Sequence, residues 1–130
     1  MDRRRLSSGS PWEEPFGYSR AIVVGDSCWV AGTTDPSLDS AGDPAAQARA
    51  ALTIIERALR EAGFDLRDVV RTRMYVTDTA AAEPVARVHG EVFGDIRPAA
   101  TLVVVSALIE PRLLVEIEVD AVRVSERPSG

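Results

Sequence analysis

A single cysteine, Cys28, and a single histidine, His89, set the first limits on this chain of 130 residues. One cysteine excludes an intramolecular disulfide and suits a reducing compartment. In the strand-like run Cys28-Trp29-Val30 it reads as a small buried residue. One histidine, with no nucleophile elbow in the chain, supports no Ser-His-Asp arrangement. It also lacks a second ligand at metal spacing, so no metal site is expected. No apolar run approaches the roughly 18 residues of a membrane helix. The basic cluster Arg3-Arg4-Arg5 is not followed by the apolar region of a secretory signal. A cytoplasmic protein with no membrane partner is expected. A P-loop, a dinucleotide fingerprint and paired-cysteine motifs are all absent, so no cofactor is expected either. The formal charge of −5 provides no basic footprint for nucleic acid.

An apolar content of 45% beside 27% charged residues describes a folded chain with room for one core. Residues 1–14 are polar and rich in Ser, Gly and Pro, so they are expected to form an arm without regular structure. Residues 15–124 form the domain, and residues 125–130 form a tail. Ala21-Ile22-Val23-Val24, Gly25-Asp26 and Cys28-Trp29-Val30-Ala31 read as a β-hairpin with a tight turn. Asp43 and Pro44 then open a helix. Its apolar stripe is Ala48, Ala51, Leu52, Ile55, Leu59 and Ala62, and Gly63 supplies the stop.

Alternation over 69–76 predicts a strand with Val70, Thr72, Met74 and Val76 on one face and Arg71, Arg73 and Tyr75 on the other. A second helix is predicted from Ala81 to Phe93, with Pro84 in its first turn. The apolar run from Ala99 to Val105 predicts a strand buried on both faces. The last strand, 113–124, sets Val115, Ile117, Val119 and Ala121 against Glu116, Glu118 and Asp120. The fold class is α/β (α+β): one mixed sheet with two helices on one face.

Several segments, in this order and spacing, carry a resemblance. They are Gly17-Tyr18-Ser19, Ala31-Gly32-Thr33, Ala46-Gln47-Ala48-Arg49, Asp68-Val69-Val70-Arg71-Thr72, Val76-Thr77-Asp78, Arg97-Pro98-Ala99 and Val115-Glu116-Ile117-Glu118. Together they resemble the RidA/YjgF family, known also as endoribonuclease L-PSP, whose best-known members are homotrimers that hydrolyse enamines and imines. The resemblance implies a homotrimer whose clefts between subunits take a small-molecule ligand. It implies Glu116 as the group that positions an attacking water, with Tyr18, Gly32 and Thr33 around the substrate, and Thr33, Thr34 and Thr101 offer hydroxyls near that expected cleft. The deaminase branch carries an arginine where this chain has Ala100, and an asparagine where it has Ala86. Ser8-Gly9-Ser10-Pro11-Trp12-Glu13, Arg71-Thr72-Arg73-Met74-Tyr75 and His89-Gly90-Glu91-Val92-Phe93-Gly94 resemble a branch without that arginine.

Each residue has a plainer reading beside the functional one. Arg73 either holds a substrate anion in place of the missing arginine or pairs with Glu116, Glu118 or Asp120. An arginine facing an acidic ladder is most simply satisfied by it. Glu116 either orients water or serves as that partner. Trp12, Glu13 and His89 either rim a pocket or pin the arm and a subunit contact. Three functions follow: a hydrolase of small anionic enamines or imines, a non-catalytic sensing trimer, and, against the charge and the single histidine, a ribonuclease.

Overall fold

Residues 115–122 alternate between buried and half-exposed side chains, and this strand becomes the middle of a sheet. The computed structural model describes residues 2–124; the tail assigned to 125–130 lies outside the described residues. Among these, β1 (Arg3–Leu6), β2 (Ala21–Val24), β3 (Ser27–Thr33), β4 (Val69–Val76), β5 (Ala99–Val104) and β6 (Val115–Val122) form one mixed sheet. Their spatial order is β1-β2-β3-β6-β4-β5. All neighbours are antiparallel except β4 and β5, which run parallel. A parallel pair needs a crossover, and helix α3 (Ala82–Phe93) supplies it.

Helix α2 (Pro44–Glu61) packs on the same face of the sheet. Asp43 caps it by accepting from the Ala46 N–H at 3.1 Å. The apolar stripe predicted from sequence is buried throughout, from Ala48 to Ala62, against Val115, Ile117, Val119 and Ala121. Gln47 is polar yet fully buried, and its amide is satisfied on both ends. Nε2 donates to the carbonyls of Arg112 and Ser40 at 2.9 and 3.2 Å, while Oε1 accepts from the Leu114 N–H at 2.8 Å. One side chain thus ties two loops to the start of the helix.

Three expectations need correction. The arm is not wholly irregular: β1 pairs with the free edge of β2, and a short helix α1 (Glu13–Phe16) follows. Arg4 helps to hold this strand, because its Nη2 donates to the carbonyl of Ala62 at 2.8 Å. At the start of β4 a bulge between Val69 and Arg71 inserts one residue against β6. Val69 therefore enters the core, and Val70 is left exposed. Finally, β5 is an edge strand, and Ala99, Ala100, Val103 and Val104 are exposed in the single chain rather than buried on both faces.

Cys28 is buried, and loss of solvation pushes its thiol up to about 11. A disulfide reagent at pH 8 is expected to label it only after denaturation. Rapid labelling of the native protein would contradict this packing.

Candidate functional site

The face of the sheet turned away from the helices carries most of the chain's candidate chemistry. The pleat puts alternate residues on each side, so the residues that alternate with the core set share this second face. Across it, Glu116 pairs with Tyr75 and then Val103, and Glu118 with Arg73 and then Thr101. Asp120 pairs with Trp29 on one side and with Arg71 on the other.

Two of the three carboxylates of β6 are taken. Arg73 Nη1 lies 3.3 Å from Asp120 Oδ2 and 3.9 Å from Glu118 Oε2. Tyr75 donates its hydroxyl to Glu118 in a short contact, which with burial raises the Tyr75 pKa. Arg73 is thus a member of the acidic ladder in the single chain. Arg71 Nη2 donates to Thr101 Oγ1 at 2.9 Å, so Thr101 is held on the same face but with β4 between it and Glu116.

Glu116 is the carboxylate that neither Arg73 nor Tyr75 engages. It is half-buried, and loss of solvation raises its pKa above the ordinary 4.5; Glu118 adds to this, and Arg20 opposes it. Its side chain lies flat against Gly32, where β3 is irregular between Val30 and Thr33. A Cβ at Gly32 would overlap Glu116 Oε2 and stand 3.0 Å from its Cδ. The missing side chain of Gly32 is the space that the carboxylate occupies.

Arg20, just ahead of β2, completes this corner. Its Nη2 donates to the carbonyls of Ala31 and Gly32 at 2.7 and 2.8 Å. Burial lowers its pKa, while Tyr18, Glu13 and Glu116 act in the opposite direction. Tyr18 is exposed, and its backbone N–H donates to the Glu13 carbonyl at 2.9 Å. The structure therefore brings together Glu116, Gly32 and Arg20, with Tyr18 within electrostatic reach of Arg20.

The other sequence candidates go elsewhere. Thr33 is buried on the core side, and its hydroxyl donates to the Ala31 carbonyl at 2.7 Å. It shapes the bulge and is not presented beside Glu116. His89 lies on the helix layer, with Nε2 at 2.8 Å from Thr72 Oγ1 and its ring 4.8 Å from that of Phe93. Desolvation lowers its pKa. Trp12 stacks on Phe16 at 5.6 Å. Glu13 is buried and accepts from the Ser8 N–H at 3.0 Å and from its hydroxyl, closing the turn before α1.

A cavity of about 660 Å³ opens between β1 and α1, lined in part by Arg3, Arg5, Glu13 and Tyr18; Glu116 is not in its wall. Among the described residues no cluster of His, Cys, Asp and Glu is arranged to hold a metal ion. None of their helices is long and apolar enough to cross a membrane.

Arg20 was not singled out from the sequence, although a signal was present. Ala21 and Val23 read as core residues, so parity assigns Arg20 and Ile22 to the opposite face. That is the face of Glu116.

A model of the family described as Endoribonuclease L-PSP matches residues 13–123. A crystal structure of Rv2704 from Mycobacterium tuberculosis, described as a member of the highly conserved YjgF/YER057c/UK114 family, is 52% identical. It covers 94% of this chain and 100% of that one, with a TM-score of 0.87. An uncharacterized protein of Streptomyces coelicolor, SCO2049, is 42% identical over 123 residues, 92% of each chain. The 3-aminoacrylate deaminase RutC of Acinetobacter baylyi is 38% identical over 76 residues, 58% of this chain and 60% of that one.

Proposed function

Because this chain belongs to the endoribonuclease L-PSP family, the RidA/YjgF family, we propose that it is a homotrimer that hydrolyses a small enamine or imine in clefts between subunits. Glu116 carries this reading: it is a half-buried carboxylate with a raised pKa, seated on a residue without a side chain and left free by the ladder beside it. The likeness to a 3-aminoacrylate deaminase supports the reaction class.

The reaction divides into steps that one carboxylate can serve. An enamine takes a proton from solvent on carbon and becomes an iminium ion. Water then adds to the iminium carbon, and one of its protons passes to Glu116. Glu116 returns that proton to nitrogen, the C–N bond breaks as the remaining hydroxyl proton goes to solvent, and ammonia leaves with a carbonyl compound. A carboxyl held above its ordinary pKa is suited to both halves of this exchange. The Gly32 backbone and Tyr18 form the wall against which substrate lies.

Ala100 narrows the substrate. Losing one partner of a buried charge pair costs about 2–5 kcal/mol, so carboxylates such as 2-aminoacrylate and 3-aminoacrylate are expected to turn over more slowly here than where β5 supplies an arginine. Arg73 is no replacement, since Glu118 and Asp120 already hold it. That commitment also favours a second reading, a trimer that binds such metabolites without turning them over.

Generating 3-aminoacrylate and 2-aminoacrylate in situ and following ammonia separates the two. Release above the buffer rate supports the hydrolase. Saturable binding without release supports the sensor. A companion test uses Gly32→Ala. The new Cβ displaces only the end of a flexible side chain, so stability is expected to change by no more than about 1 kcal/mol. Turnover is expected to fall roughly 100-fold, the cost of a reacting group moved by an ångström.

A further inference from the structure

We infer that Arg20 is the positioning residue for Glu116: it fixes the two peptide carbonyls of the β3 irregularity against which that carboxylate lies, and sets a cation within electrostatic reach of it. The inference rests on the reading of Glu116 as the proton-handling group.

Arg20 directs one nitrogen, Nη2, to two consecutive carbonyls, Ala31 and Gly32. The two N–H bonds of this one nitrogen lie in the rigid guanidinium plane, so two bonds to successive peptides fix the orientation of both. These are the residues where the pairing of β3 with β6 slips, between Val30 and Thr33. Thr33 braces the same place, because its hydroxyl also donates to the Ala31 carbonyl. Without these bonds the Gly32 peptide loses its fixed position and the floor under Glu116 moves.

The guanidinium is also under-used. Arg20 Nε is buried and has no hydrogen-bond partner among the described residues. The groups facing Glu116 are Glu118 on its own strand, Tyr75 on β4, Gly32 on β3 and Arg20 ahead of β2. Tyr75 is already bonded to Glu118, and Arg73 to Glu118 and Asp120, so Arg20 is the cation left to act on Glu116. The balance of charge agrees, since Arg20 is the group that opposes the upward pull of burial and Glu118.

Two substitutions separate the charge from the planar donor. Arg20→Gln removes the charge and keeps an amide donor for the carbonyls. Arg20→Lys keeps a charge and loses the planar nitrogen that holds both carbonyls. The readout is a carbon-detected titration of the Glu116 carboxyl, assigned by its absence in Glu116→Gln. The midpoint is expected to move to higher pH in Arg20→Gln and to stay near the wild-type value in Arg20→Lys. In the lysine protein the Ala31 and Gly32 amide signals should shift, and turnover should fall about 100-fold. An unmoved midpoint in Arg20→Gln overturns the inference. If that variant does not fold, unshifted amides with full turnover in Arg20→Lys overturn it. A wild-type protein that releases no ammonia while the midpoint still moves refutes the hydrolase and leaves the role of Arg20 standing.

Discussion

Glu116→Gln is expected to lower ammonia release from 3-aminoacrylate by about 10²- to 10⁴-fold, the usual contribution of a positioned acid or base. Glutamine keeps the shape of the side chain and its fit over Gly32, but it cannot take or return a proton. The same change should not destabilise the protein at neutral pH. The folded-state pKa of Glu116 lies above its ordinary 4.5, with burial the largest cause and Glu118 the second. Between 4.5 and the raised value the folded chain therefore binds more protons than the unfolded one. Stability then falls as pH rises through that window, and the penalty is fully present above it. Glutamine carries no such penalty. The melting temperature of Glu116→Gln relative to wild type should accordingly rise from pH 4 to pH 7. A variant that loses stability as well as turnover at pH 7 would make Glu116 a structural partner instead.

Val103→Asp is expected to separate the subunits. Val103 is 41% exposed in the single chain, on the face opposite the helices and in register with Tyr75. Trp29, 46% exposed, lies on the same face beside Asp120. Two large apolar side chains set among charges suit a surface that another copy of the chain covers. A carboxylate buried there without a partner costs several kcal/mol, and each 1.4 kcal/mol is about tenfold in association. Light scattering should give three times 14.0 kDa for the wild type and 14.0 kDa for the variant at the same concentration. Ammonia release should fall with the mass, because the proposed clefts exist only between subunits. A wild-type protein that is already a single chain would remove the clefts from the account.

The elements legible in the sequence are those whose pattern is local. Helix α2 has a cap, a stripe and a stop between Asp43 and Gly63, and the structure keeps all three. The β2–β3 hairpin turns at Gly25, whose φ of 57° is the left-handed geometry that its turn requires. The alternation of β6 divides core from carboxylates with no help from the rest of the chain.

Features that depend on distant partners were not legible. Arg3-Arg4-Arg5 has nothing of a strand in its composition; it becomes one because β2 has a free edge and Ala62 a free carbonyl. The bulge that exchanges Val70 for Val69 depends on how β4 meets β6, which no count along β4 reveals. The run from Ala99 to Val105 is apolar enough for a central strand, yet the topology leaves it at the edge.

The candidate site divides in the same way. Glu116 and Gly32 belong to segments that carry the family resemblance, and their direct contact exists only in three dimensions. Thr33, His89, Trp12 and Glu13 were grouped by that resemblance, but in the single chain they serve the bulge, the helix layer and the turn before α1. Arg20 escaped notice because a lone arginine beside a tyrosine has no motif of its own.

The most direct test is a crystal structure with a slowly hydrolysed β-enamino acid bound. The account predicts the ligand nitrogen or its attacking water within about 2.6–3.2 Å of a Glu116 oxygen, the reach of a proton-transferring group, with the Gly32 backbone as its floor. Density for the ligand only in the cavity between β1 and α1, away from Glu116, would contradict it.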